Sequence, residues 1–160
     1  MAEIAKKKIV IGAAAAGIEL KEVLKEMMDE EGVEYEDVGL DSEDEDVYYP
    51  SVAKRVAERI IASNYEKEGI LICGTGIGVA ITANKFPKIY AAQVYDNYGS
   101  ERAALSNDAN VITLGSRITG PELAKKIVKE WLGLEFTPGR STPKIKEIYA
   151  IEKENLKGIE

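Results

Sequence analysis

Short apolar runs alternate along the chain with longer stretches in which apolar residues recur every three or four positions. Lys8-Ile-Val-Ile-Gly12 is a strand-length run meeting a turn of small residues, and Ile18 to Met28 carries Ile18, Leu20, Val23, Leu24, Met27 and Met28 at helical spacing. Glu34 to Gly39 alternates weakly and predicts a second strand. An acidic loop then leads to Tyr49-Pro50-Ser51, where Ser51 is placed to cap a helix over Val52 to Ser63. Gly69 to Cys73 is the third predicted strand, followed by a helix from about Val79 to Lys85. Ile89 to Val94 is the fourth, with a short helix over Ser100 to Leu105, and Val111 to Leu114 is the fifth. Pro121 opens a helix whose stripe is Leu123, Ile127, Val128, Trp131 and Leu132. The tail from about 143 to 156 reads as one more helix, with Ile145, Ile148, Tyr149 and Ile151 available to a partner subunit or to its own chain.

Strands and helices alternating at this pace predict an α/β protein: a Rossmann-like three-layer sandwich around a five-stranded, mostly parallel sheet, because right-handed crossovers place helices on both faces. Ligands of such sheets bind beyond the C-terminal strand ends. Gly12 to Gly17, Cys73 to Gly78 and Asp96 to Ser100 fall there.

The 160 residues are read as one domain, large enough for a core without disulfides. Twenty-one basic against 28 acidic residues give a net charge of −7, which argues against nucleic acid as the partner. A single cysteine and a first segment, Met1 to Lys8, without a long apolar core predict a cytoplasmic protein. No apolar stretch has the length of a membrane span. The carboxylates of Asp29 to Glu31 and Asp41 to Asp46 read as solvated surface, since neighbours on a loop do not converge on a metal by themselves.

The chemistry concentrates in Gly69-Ile-Leu-Ile-Cys-Gly-Thr-Gly-Ile-Gly78, where the only cysteine sits between a buried strand and a glycine-rich turn, in a chain with no histidine. The loop lacks the Gly-Lys-Ser/Thr of a nucleotide triphosphate site. It also misses the dinucleotide fingerprint by one position, Val79 standing where glycine is needed, although Asp96 lies at a fitting distance for a ribose contact and keeps a nicotinamide-binding module as a competing reading. Without histidine, Ser-His and Cys-His hydrolases and imidazole-ligated metals are excluded. Cys73 is either a small core residue or a base acting without imidazole. As a base it suits proton abstraction beside a carbonyl, with the loop N–H groups holding the enediolate.

These residues resemble the type B ribose-5-phosphate isomerases, a family that includes galactose-6-phosphate isomerase subunits. The resemblance is carried by the Gly69 to Gly78 segment, Ala83-Asn-Lys85, Ser106-Asn-Asp-Ala-Asn110 and Gly115-Ser-Arg-Ile-Thr-Gly-Pro-Glu-Leu-Ala124. It implies a metal-independent, cofactor-free aldose–ketose isomerase that moves a proton between C1 and C2 of a small phosphorylated sugar. Cys73 matches the family's base and Thr75 the hydroxyl that relays protons between the oxygens. Gly74, Gly76, Ile77 and Gly78 match the anion hole, and Asn107 and Tyr49 match substrate contacts. Arg117 and Arg140 match arginines that grip the phosphate, and Lys144 stands for a further tail arginine. The resemblance also implies a homodimer, or a dimer of dimers, whose sites combine both subunits.

The chain departs from the family pattern in its histidines and its first turn. An Asp-His pair after the first strand is replaced by Ala14-Ala15, the ring-opening histidine by Ser106 and the histidine after Arg140 by Ser141. Glu101 to Asn107 and Gly139-Arg-Ser141 resemble a serine-bearing branch that acts on four-carbon sugar phosphates. Chemistry supplies a reason: erythrose 4-phosphate has its O4 esterified, cannot close a five-membered ring, and needs no acid to open one. That branch keeps an aspartate where Ala14 stands. The readings are therefore an erythrulose 4-phosphate isomerase, then a ribose 5-phosphate isomerase, with an impaired, engineered or silent sugar-phosphate binding homologue as the alternative.

Overall fold

Five of the six residues of β1 (Lys8–Ala13) are buried, as are the last five of β3 (Lys67–Cys73) and all of β5 (Val111–Gly115). Continuous burial of this kind marks strands covered on both faces. The computed structural model describes residues 7–156, so the reading of Met1 to Lys6 lies outside the described residues. With β2 (Tyr35–Asp37) and β4 (Ala91–Gln93) the sheet runs β2-β1-β3-β5-β4, and every neighbouring pair is parallel, where the sequence predicted a mostly parallel sheet.

Side-chain alternation divides the core into two layers. Ile9, Ile11, Ile70, Ile72, Ile112 and Leu114 face α1 (Ile18–Glu30), α4 (Asn97–Leu105) and α5 (Pro121–Leu132), with Trp131 fully buried among them. Val10, Leu71, Cys73 and Val111 face the other way, onto α2 (Tyr49–Ala62) and α3 (Ile77–Ala83). Cys73 is thus the last inward residue of β3 on the α2 and α3 side.

Several element boundaries differ from the sequence reading. Helix α2 starts at Tyr49, with Pro50 in its first turn, so Ser51 lies inside the helix and makes no capping bond. Proline is favoured in the first turn because its missing N–H would be unpaired there anyway, and this sets the start upstream of Ser51. Helix α3 begins at Ile77 rather than Val79, because Gly76 at φ 77° turns the chain directly into it. Strand β4 is shorter than Ile89 to Val94. The Asn84 side chain closes its edge by bonding both the N–H and the carbonyl of Ala91, at 2.8 and 2.9 Å.

Helix α6 (Thr142–Asn155) packs on its own chain. Ile145 is buried, Glu152 accepts from the Lys88 N–H at 2.8 Å and from the Tyr90 hydroxyl, and the rings of Tyr90 and Tyr149 lie 5.2 Å apart. Ile148 and Ile151 of the predicted stripe remain exposed. Among the described residues, no helix is long and apolar enough to cross a membrane.

Candidate active site

The loop after β3 is held from all sides. At Cys73, Sγ accepts the Gly76 N–H at 3.1 Å, a contact that fixes the direction of the sulfur. Cys73 is buried, with 7% of the residue exposed, at the C-terminal end of its strand. Thr75 is exposed; its Oγ1 accepts the Ile77 N–H at 3.3 Å, which leaves its own proton free to donate.

Neighbouring segments close round this loop. Cys73 is the register partner of Gly115 on β5, which brings the turn after β5 alongside. There the Ser116 N–H donates to Cys73 O at 2.9 Å and the Arg117 N–H to Gly74 O at 3.0 Å. The Arg117 guanidinium lies over Gly74, where an added Cβ would fall 3.0 Å from Nη1, so the predicted phosphate ligand stands beside the predicted base. From α2, the ring of Tyr49 covers Gly78, where a Cβ would meet Cε2 at 2.5 Å. The first turn joins through the Ala14 N–H, which donates to Ile72 O at 2.9 Å, and through Ser116 Oγ, which donates to Ala16 O at 2.7 Å. Ala14 is buried in the same side-chain layer as Cys73, with Ala15 against it.

Four predicted residues lie elsewhere. Helix α4 runs antiparallel to the strands and delivers Ser106 and Asn107 to the N-terminal end of the sheet. Asp108 and Ala109 there line a cavity with Lys7 and Glu68. Seven residues of β3 span about 20 Å, so these side chains and Cys73 stand at opposite ends of one chain. Ser106 Oγ accepts from Arg102 Nη1 at 3.2 Å, while Asn107 is exposed on a cavity shared with Ile145 and Tyr149. Arg140 and Lys144 lie between Phe136 and Ile145, both placed at that same end, and both are exposed. Burial pushes the Asp108 carboxyl above its usual range, against the Tyr149 hydroxyl bonded to it at 3.3 Å, which holds it down.

One carboxylate cluster is dense enough to compare with a metal site. Oxygens of Glu22, Asp37 and Asp41 lie within 4.8 Å of one another. Two ammonium groups already occupy the cluster: buried Lys21 reaches Asp37 at 2.9 Å and Asp41 at 3.1 Å, and Lys25 reaches Asp37 and Glu22 at 3.0 Å each. It is an ion-pair network that ties α1 to the end of β2.

The chain matches the model of the Ribose/Galactose Isomerase family over residues 9–148. It belongs to that family. It is 45% identical to Ribose-5-P isomerase B of Listeria innocua over 148 residues, covering 92% of this chain and 99% of that protein. It is also 45% identical over 140 residues to D-erythrulose-4-phosphate isomerase of Pectobacterium atrosepticum, covering 88% and 91% respectively. The crystal structure of Ribose-5-phosphate Isomerase B from Mycoplasma genitalium with bound ribulose-5-phosphate superposes with a TM-score of 0.88 at 32% identity, covering 94% of this chain and 99% of that one. Membership in this family makes the chain a sugar-phosphate isomerase, with the erythrulose-4-phosphate branch among its relatives.

Sequence reasoning passed over Ser116, Gln93 and Thr113, each of which bonds the loop or its neighbours. The available signal was polarity: Thr113 interrupts the apolar run of β5, and Gln93 ends a strand of alanines.

Proposed function

We propose that the protein interconverts the aldose and ketose forms of a small sugar phosphate, D-erythrulose 4-phosphate before ribose 5-phosphate, with Cys73 as the base. The observation that carries this reading is the Gly76 N–H directed at Cys73 Sγ in a loop overlain by Arg117. Cys73 takes the proton from the carbon beside the carbonyl, and the loop N–H groups hold the enediolate charge as it develops. The Thr75 hydroxyl moves a proton between the two oxygens. Sulfur then returns its proton to the adjacent carbon, so no net proton, metal or cofactor enters the cycle. Arg117 binds the phosphate at the same mouth.

Ser106, Asn107, Arg140 and Lys144 fit this reading through a second subunit. In a homodimer that sets the N-terminal sheet end of one protomer against the Cys73 mouth of the other, they complete the site from across the interface. Exposed Ile77, Ile81 and Tyr49 beside the mouth, and Ile148 near Asn107, are the apolar surface for such a contact. Serine at position 106 supports the tetrose, because a substrate without a furanose ring needs a hydrogen-bond partner there rather than an acid.

The test is deuterium incorporation at C1 and C2 of four-, five- and six-carbon sugar phosphates in heavy water. Exchange and turnover are expected to be fastest with the tetrose, and Cys73→Ala is expected to abolish both while phosphosugar binding persists. Ribose 5-phosphate turning over far faster than the tetrose would remove the substrate assignment. Turnover that survives in Cys73→Ala would remove the mechanism.

A further inference from the structure

Two polar side chains on neighbouring strands have no part in the proton transfers above. Gln93 ends β4 and Thr113 lies in the middle of β5, and the two are register partners. Gln93 Nε2 donates to Thr75 O at 2.7 Å, and the fully buried Thr113 Oγ1 donates to Gly76 O at 2.7 Å. Their acceptors are successive carbonyls of the glycine loop.

A peptide unit is planar, so fixing its carbonyl also fixes the opposite direction of its N–H. With the Thr75 carbonyl drawn to Gln93, the N–H of the same peptide, that of Gly76, points to Cys73 Sγ at 3.1 Å. With the Gly76 carbonyl drawn to Thr113, the Ile77 N–H points to Thr75 Oγ1 at 3.3 Å. Glycine crosses between left- and right-handed backbone readily, and Gly76 sits at φ 77°, so the local chain does little to prevent either peptide from turning over. A reversed peptide would set a carbonyl oxygen against the sulfur and the enediolate, opposing the negative charge that the N–H groups stabilise.

We infer that Gln93 and Thr113 are positioning residues that lock two successive peptides of the loop with their N–H groups toward the reacting atoms. The pair acts through the backbone and touches no substrate. This rests on the isomerase reading given above.

Steady-state kinetics of Thr113→Val, Thr113→Ser and Gln93→Leu, each checked for folding by thermal melting, test the inference. Thr113→Val keeps the shape of the side chain and is expected to lower kcat at least about tenfold with little change in KM, because misdirected donors are felt in the transition state. Binding of a phosphorylated hydroxamate, a mimic of the enediolate, is expected to weaken by the same factor, while a phosphorylated sugar alcohol binds as before. Thr113→Ser is expected to restore most of kcat. Folded Thr113→Val with wild-type kcat, or a loss that Thr113→Ser shares equally, overturns the inference. If Thr113→Val does not fold, Gln93→Leu decides on an exposed position: a lowered kcat at unchanged KM supports the lock and wild-type kcat overturns it. If the wild-type protein turns over no sugar phosphate, the isomerase reading fails, and alkylation of Cys73 by iodoacetamide judges the lock alone. Slower alkylation in Gln93→Leu supports it; an unchanged rate overturns it.

Discussion

The ring of Tyr49 lies on Gly78 so closely that no side chain fits between them, a Cβ falling 2.5 Å from Cε2 and 2.6 Å from Cζ. Helix α2 thereby presses the far end of the glycine loop against the start of α3. Gly78→Ala is expected to push the ring away or shift the loop and to lower kcat/KM by about a hundredfold, since small misplacements of catalytic donors carry large rate penalties. In the Tyr49→Ala background the clash is absent, so the added loss from Gly78→Ala is expected to be much smaller. A double-mutant cycle on kcat/KM measures that coupling.

The proposed site draws Cys73 from one protomer and Asn107 from the other. Cys73→Ala and Asn107→Ala, each nearly inactive alone, are expected to regain activity when unfolded and refolded together. Mixed dimers carry one site with both native residues, so an equal mixture should reach roughly a quarter of wild-type activity. No recovery in the refolded mixture would mean that the two residues do not serve one shared site.

Lys21 is fully buried and held by Asp37 and Asp41. Burial works against ionisation of Asp37, but hydrogen bonds from Lys21, Lys25 and the Gly39 N–H outweigh it and hold the carboxyl below its usual range. A carboxyl depressed in the fold adds stability that is fully present above its unfolded value of about 4 and is lost as pH falls through its folded value. Asp37→Asn leaves Lys21 short of its best partner and is expected to cost about 2 kcal/mol at neutral pH. The cost should shrink in chemical denaturation run at pH values below 4.

Ala14 stands at the end of β1 in the same layer as Cys73. Ala14→Asp is expected to lower stability by about 1–3 kcal/mol, because a carboxyl is placed in a buried position. It is also expected to raise turnover of erythrulose 4-phosphate and ribose 5-phosphate alike and leave their ratio little changed, because the resembled branch acting on four-carbon sugar phosphates keeps an aspartate there although its substrate has no ring to open. Parallel assays on the two substrates read the ratio. Among the described residues, no contact accounts for alanine at this position.

The strands of the central sheet were legible because Ile9 to Ile11 and Ile70 to Ile72 are continuous apolar runs, the pattern of strands covered on both faces. Boundaries were less legible where a single backbone angle decides them. Gly76 opens α3 two residues early, and Pro50 sets the start of α2 ahead of the serine that looked like its cap. Half of the candidate site was legible as well, since Cys73, Thr75 and the glycines proposed for it are contiguous in the chain. The clamp formed by Gln93 and Thr113 was not, because neither side chain has a local partner and their acceptors lie 18 and 37 residues away.

What the sequence determined by itself was the alternation of elements, the chemistry of a lone cysteine over glycines, and the exclusion of imidazole catalysis. These are properties of residue type and near-neighbour spacing. Tertiary structure alone decided which candidates share a place. Parallel strands carry Cys73 and Gly115 to one end together with Arg117 and Tyr49, while α4, running the other way, carries Ser106 and Asn107 to the opposite end. The direction of a helix relative to its sheet is set by packing across the whole chain, and no local pattern encodes it.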